Sequence, residues 1–215
     1  MKVKRVGQII TLTLGLWLMN VTPSSRLAAQ AQARTYTIVA SQSTFTVSVG
    51  KAGFLSAFGH EHTVAVKSFG GRVRVSPSEI SQASLELEVE AKSLVVADKG
   101  IDDKERAEIQ KAMETDVLEV SRFPKISFRS VSVGNVKPSG SGQSFVVSGD
   151  LTLHGVTKRV AVPVVVTITP EHLRATGEVT VKQTDFGIKP YSAASGTVKV
   201  KDALKLSFAI TAKAS

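Results

Sequence analysis

The amino-acid sequence predicts a mainly β protein with one antiparallel domain behind a short export signal. Three observations predict it. Apolar and polar residues alternate over most of the chain beyond residue 33, turn residues recur between these stretches, and the first residues have the order of a secretory signal peptide. At 215 residues the chain is long enough for a single domain with a large core.

The N-terminal segment has a basic start, an apolar centre and an end rich in small residues. Three of its first five residues are Lys or Arg, and residues 9–21 are uncharged and mostly apolar. That run is short of the roughly 20 residues that a membrane-spanning helix needs. A polar stretch follows and ends in Ala31-Gln32-Ala33. We therefore expect a signal peptide over residues 1–33, cleavage after Ala33, and a mature domain over residues 34–215 that is periplasmic or secreted.

The charge and the cysteine content narrow the function classes. Cleavage after Ala33 removes four basic residues and no acidic one, so the formal net charge falls from +9 to +5. The remaining Lys and Arg residues are scattered between apolar positions instead of forming a basic face with aromatics, so we expect no nucleic-acid partner. A transient contact with an anionic membrane surface stays open. The chain contains no cysteine, so its stability has to come from burial.

Alternation at strand length recurs throughout the mature chain. Residues 85–90 read Leu-Glu-Leu-Glu-Val-Glu, and we expect the three aliphatic side chains to face the interior and the three glutamates to face water. The opposite register would bury three carboxylates that have no local partner. Similar stretches predict about eight or nine strands, near residues 44–49, 64–75 with a break at Gly70-Gly71, 125–133, 144–153, 159–168, 173–182, 197–201 and 204–208.

Two segments depart from this pattern. Residues 102 to about 113 begin with acidic residues and carry a thin apolar stripe, which predicts one helix that caps or flanks the sheet. Residues 134–144 are rich in Gly, Ser and Pro and predict a flexible hairpin loop. The alternation itself is compatible with a sandwich or with a closed barrel.

Two motifs in the second half of the chain carry a family resemblance. Residues 123–130 read Phe-Pro-Lys-Ile-Ser-Phe-Arg-Ser, and residues 149–158 read Gly-Asp-Leu-Thr-Leu-His-Gly-Val-Thr-Lys, a β-hairpin with a short turn. In this order they resemble segments of the YceI family, and the resemblance covers roughly Tyr36 to the C-terminus. It implies a single antiparallel, lipocalin-like β-barrel of about eight strands with one flanking helix and an interior tunnel for a lipid.

The expected interior leaves room for a ligand. An eight-stranded barrel can be filled by side chains or can hold one small ligand. Many of the expected inner residues are small or β-branched and aromatics are sparse, which together with the resemblance favours a long-chain polyisoprenoid or fatty-acid-like lipid as the guest. We expect neither a cofactor nor catalysis. The candidate tunnel residues are Phe45, Val47, Phe54, Phe58, Phe69, Leu85, Leu87, Phe128, Phe145, Val164 and Phe208.

Three histidines are candidates for the tunnel mouth, where they would contact a polar headgroup: His60, His62 and His154. Members of the YceI family usually have one histidine in the region of His60 and His62, so the two histidines of Gly-His-Glu-His depart from the family pattern. Residues i and i+2 of a strand share a face, and a third imidazole from His154 would complete a zinc-type set. The alternative functions are therefore a metal-dependent or His-assisted hydrolase and a ligand-free structural or stress-response barrel. In the simplest interpretation, His154 only begins the turn that Gly155 permits.

Overall fold

The structure is a computed structural model, and it describes residues 32–52, 61–193 and 198–215. All of these residues belong to one compact unit, residues 31–215. The predicted signal peptide lies almost entirely outside the described residues, and so do the candidates Phe54, Phe58 and His60. Among the described residues, no helix is both long enough and apolar enough to cross a bilayer.

The described residues form twelve strands and one α-helix, which confirms the predicted fold class. The strands are β1 (Arg34–Ile38), β2 (Thr44–Ala52), β3 (His62–Val66), β4 (Phe69–Val75), β5 (Ser84–Glu90), β6 (Leu94–Val96), β7 (Lys125–Ser139), β8 (Gly142–Leu153), β9 (Val156–Ile168), β10 (His172–Lys182), β11 (Ser192–Ala193) and β12 (Val198–Ala214), and the helix is α1 (Asp103–Ala112). Short interruptions divide three long strands into the pairs β1 and β2, β3 and β4, and β5 and β6.

The sheet closes into a barrel of eight antiparallel strands. Around the barrel the order is β1, β4, β5, β7, β8, β9, β10 and β12, and β12 pairs again with β1. β12 pairs with β10 through residues 203–213 on one edge. On its other edge it pairs with β1 near Ala214 and with β2 from Lys199 to Ala209. Closure therefore leaves no long free edge in this ring of strands.

The register of β5 is the predicted one. Glu86, Glu88 and Glu90 are exposed, whereas Leu85 and Leu87 are half-buried and Val89 is buried. The inner face of the barrel is built by the same alternation on the other strands. On β8, for example, every second residue from Phe145 to Leu153 is buried.

As predicted, one helix flanks the barrel. Helix α1 lies at the edge of β6. The Asp102 carboxylate accepts a hydrogen bond from the Glu105 amide at 2.8 Å and caps the helix. The Gln110 side chain then acts as a partner for the free edge of β6: its Oε1 accepts from the Val96 amide at 2.9 Å, and its Nε2 donates to the Leu94 carbonyl at 2.9 Å. These two bonds satisfy backbone groups that an edge strand would otherwise leave open.

Two expectations about local breaks were wrong. The break expected at Gly70-Gly71 lies at residues 67–68, where the Lys67 amide donates to Ser93 and the Glu90 amide donates to Ser68, so that neighbouring strands bend together. The expected loop over residues 134–144 is mostly strand, because β7 and β8 pair as far as Ser139 and Gly142. One irregularity in β7, between Gly134 and Lys137, lies within this segment, and Pro138 and Ser139 pair with Gln143 and Gly142.

The two motifs that carried the resemblance pack against each other. A Cβ built on Gly149 would lie 2.3 Å from Cζ of Phe128, because the phenyl ring crosses the strand at that glycine. Gly155 has a φ of +73°, and a Cβ there would lie 2.7 Å from Cε1 of Phe123. The motif glycines are therefore required by close packing and by the turn.

We expect Gly149→Ala to lower the free energy of unfolding by about 1–3 kcal/mol, the range for overpacking. The new methyl group would meet the Phe128 ring and also the Arg129 carbonyl oxygen, at 2.7 Å. Gly134→Ala on the neighbouring strand is the control, because a Cβ there has no described atom within 4 Å. Urea denaturation measures both changes, and equal losses would contradict this account of the motif.

Candidate ligand-binding interior

The inner faces of the strands enclose two cavities. The larger has a volume of about 160 Å³, and its lining is apolar apart from Ser84 and Ser130. The smaller has a volume of about 90 Å³, with Ser127 as its only polar lining residue. A cavity of about 150 Å³ lined by Leu, Ile and Phe stays dry and takes up benzene in another protein. The larger cavity therefore has room for an apolar group of that size.

Five residues line both cavities, and we call this set the waist: Phe45, Leu87, Phe128, Leu151 and Leu206. Phe45 is held edge-to-face by two other rings. Its centroid lies 6.0 Å from that of Phe69 at 88° and 6.3 Å from that of Phe208 at 73°. These are favourable aromatic geometries. The waist residues thus lie where the two cavities adjoin.

The structure places most of the candidate tunnel residues on the cavity walls. Those that line a cavity are Phe45, Val47, Leu85, Leu87, Phe128, Phe145, Val164 and Phe208. Phe69 is buried behind Phe45 and lines neither cavity. Sequence reasoning missed Leu151 and Leu206 of the waist, although both belong to alternating segments that had been predicted as strands. A ligand at these residues stays a prediction.

His62 is held by a buried carboxylate. Its Nδ1 lies 2.5 Å from Oδ2 of Asp98, whose side chain is only 1% exposed. The other carboxylate oxygen of Asp98 accepts from the Thr63 amide at 2.5 Å. Asp98 thus holds the His62 ring and the Thr63 amide in place at the start of β3. Neither of them lines a cavity.

His154 begins the turn between β8 and β9, as the simplest interpretation predicted. Its φ is +52°, and its ring lies against Phe123 with 4.2 Å between centroids. Its Nε2 lies 3.2 Å from Oε1 of Glu119, and the Arg122 guanidinium donates to the other oxygen of Glu119 at 2.5 Å. The pKa of Glu119 is lowered, first by the hydrogen bond from Arg122. Burial opposes this as the second-largest effect, and the charge of Arg122 and the interaction with His154 lower the pKa further.

The described residues do not form the proposed zinc-type set. Within residues 32–52, 61–193 and 198–215, no group of three or more His, Cys, Asp or Glu side chains could hold a metal ion. His60, which the set pairs with His62, lies outside the described residues. His62 and His154 each direct a ring nitrogen at a separate carboxylate.

Residues 36–212 match the YceI-like domain. The chain belongs to the YceI family. No curated protein matches the chain significantly.

Solved structures with the same fold include the following three. BcnA of Burkholderia cenocepacia is 19% identical, with a TM-score of 0.63 over 81% of this chain and 98% of that one. A polyisoprenoid-binding domain from Saccharophagus degradans, implicated in plant cell wall breakdown, is 14% identical, with a TM-score of 0.57 over 84% and 98%. The YceI protein of Campylobacter jejuni is 14% identical, with a TM-score of 0.52 over 69% and 82%. At these identities the likeness concerns the fold.

We expect Arg122→Gln to raise the pKa of Glu119 toward its ordinary value of 4.5. A carboxyl whose pKa is lowered by folding stabilises the folded state above its ordinary pKa and loses this contribution as the pH falls through the lowered value. An NMR titration of the Glu119 carboxyl carbon measures the change. Arg129→Gln is the control, because Arg129 pairs with Glu86 instead. An unchanged Glu119 titration in Arg122→Gln would refute the assignment of its principal partner.

Proposed function

We propose that this protein is an exported binding protein that holds a long apolar chain, from a polyisoprenoid or fatty-acid-like lipid, inside its barrel. The observation that carries the proposal is a pair of apolar cavities that share the waist residues. The polyisoprenoid-binding domain of Saccharophagus degradans, which has the same fold, supports the class of ligand.

The hydrophobic effect would supply the binding energy. Each methylene group buried contributes about 0.8 kcal/mol. A chain that buries about ten such groups would gain a gross term of about 8 kcal/mol, from which the cost of immobilising a flexible chain is subtracted. Selection between ligands would therefore depend on chain length and on the few polar groups near the chain.

A chain that occupies both cavities has to pass the waist. Phe45 and Leu206 come from neighbouring strands of the closed sheet, and each of them lines both cavities. The interior of a barrel is occupied by inward-pointing side chains. Rotation of side chains can therefore join the two volumes without breaking the hydrogen-bonded ring of strands. We propose that the waist side chains rotate in this way when the ligand enters.

The cavity walls favour binding over catalysis. Among the described residues, Ser84, Ser127 and Ser130 are the only polar residues that line the cavities, and the Oγ of Ser130 accepts from the Leu85 amide at 2.8 Å. A hydrolase needs a nucleophile with a base in hydrogen-bond reach. The described wall contains no histidine and no carboxylate, so the hydrolase alternative gains no support from it.

We expect Val164→Trp to abolish retention of lipid, because Val164 is buried on the wall of the larger cavity and an indole ring would occupy that space. Val165→Trp is the matched control: the next residue is 42% exposed on the outer face. Both variants are purified from the native host and extracted, and their lipids are quantified by mass spectrometry.

The control should retain the wild-type amount of lipid. If overpacking prevents Val164→Trp from folding, Val47→Trp tests the smaller cavity in the same way. A folded variant with either inner tryptophan that still carries the wild-type amount of lipid would exclude the interior as the binding site.

The proposal includes export. The basic start, the apolar run 9–21 and the Ala31-Gln32-Ala33 ending support cleavage after Ala33. We expect the native protein to begin at or near Arg34 and to lie outside the cytoplasm. Intact-mass measurement on fractionated cells determines the N-terminus, and recovery of a chain that begins with Met1 from the cytosol would contradict export.

A further inference from the structure

One buried polar atom on β8 has no hydrogen-bond partner. It is Oε1 of Gln143, and among the described side chains no other buried nitrogen or oxygen is left unpaired. Gln143 lies on β8 two residues before Phe145, so the two side chains share the inner face. Its register partner on β9 is Val166. Phe145 and Val166 both line the larger cavity.

The order of residues along β8 places this atom at one end of the interior. Phe145 and Val147 line the larger cavity, Leu151 belongs to the waist, and Leu153 lines the smaller cavity. Gln143 precedes all of them on the strand. Gln143 itself lines neither cavity, so its place on the strand puts it just beyond the end of the larger cavity, away from the smaller cavity and from His154, which follows Leu153.

Buried polar groups in folded proteins almost always have a hydrogen-bond partner. The unpaired Oε1 of Gln143, just beyond the end of the larger cavity, needs a donor that the described side chains do not supply. Resting on the proposed function, we propose that Gln143 Oε1 accepts a hydrogen bond from the polar end of the bound lipid. The lipid then lies with its polar end beside Gln143 and its apolar chain directed through the waist toward the smaller cavity.

The chemistry of the unpaired atom selects the ligand class. An amide oxygen only accepts hydrogen bonds, so its partner has to donate one. The hydroxyl of a long-chain alcohol has such a proton, whereas an ionised carboxylate has none. The site therefore suits a polyisoprenoid or other long-chain alcohol better than a fatty-acid anion or an ether of the same chain.

The test compares farnesol with farnesyl methyl ether, which has a methyl group in place of the hydroxyl proton and cannot donate. Their dissociation constants are measured by calorimetry for the lipid-free wild-type protein, for Gln143→Met and for the control Gln82→Met, whose side chain is exposed and bonds to Glu79. The wild type and the control should prefer the alcohol by several-fold to about tenfold, as expected for one hydrogen bond. Gln143→Met should bind the two probes equally.

Each other outcome has a definite meaning. If the wild type binds both probes equally, a water molecule is enough to satisfy Gln143, and the inference falls while the proposed function stands. If Gln143→Met keeps the preference or weakens both probes alike, the oxygen does not contact the hydroxyl and the inference also falls. If the wild type binds neither probe, the proposed function fails as well. Gln143→Ala replaces the methionine variant if that variant does not fold.

Discussion

Closure of the sheet through β12 is the constraint on which the other features depend. This strand pairs with β10 on one edge and with β1 and β2 on the other. Closure gives the backbone groups of both edges hydrogen-bond partners, and it also creates an enclosed interior. In an open sandwich, side chains from two facing sheets would interdigitate and fill the same space. The cavities and the waist exist because the inner faces of all eight strands point at one enclosed volume.

Features that depend on local sequence were predictable. The register of β5 follows from strict alternation of leucine or valine with glutamate, and α1 begins at an aspartate cap and has acidic residues in its first turn. The turn at His154 follows from the glycine beside it. The prediction of a loop at residues 134–144 was wrong because local composition did not decide the structure there. The long pairing of β7 with β8 outweighed a composition that is typical of loops.

Features that depend on long-range packing could not be read from the sequence. The waist forms where Phe45 of β2, Phe128 of β7 and Leu206 of β12 meet, and no spacing along the chain specifies that meeting. The pairing of His62 with Asp98 joins residues 36 positions apart. Gln143 was overlooked because it lies in the segment that was predicted as a loop, where a polar residue is unremarkable.

A crystal structure of the protein purified from its native host with its lipids retained tests the central claim most directly. The account predicts continuous electron density for an extended chain that runs from the larger cavity through the waist into the smaller one, with the waist side chains turned aside. Empty cavities separated by a closed waist, in protein that nevertheless carries lipid, would show that the ligand binds elsewhere and would contradict the account.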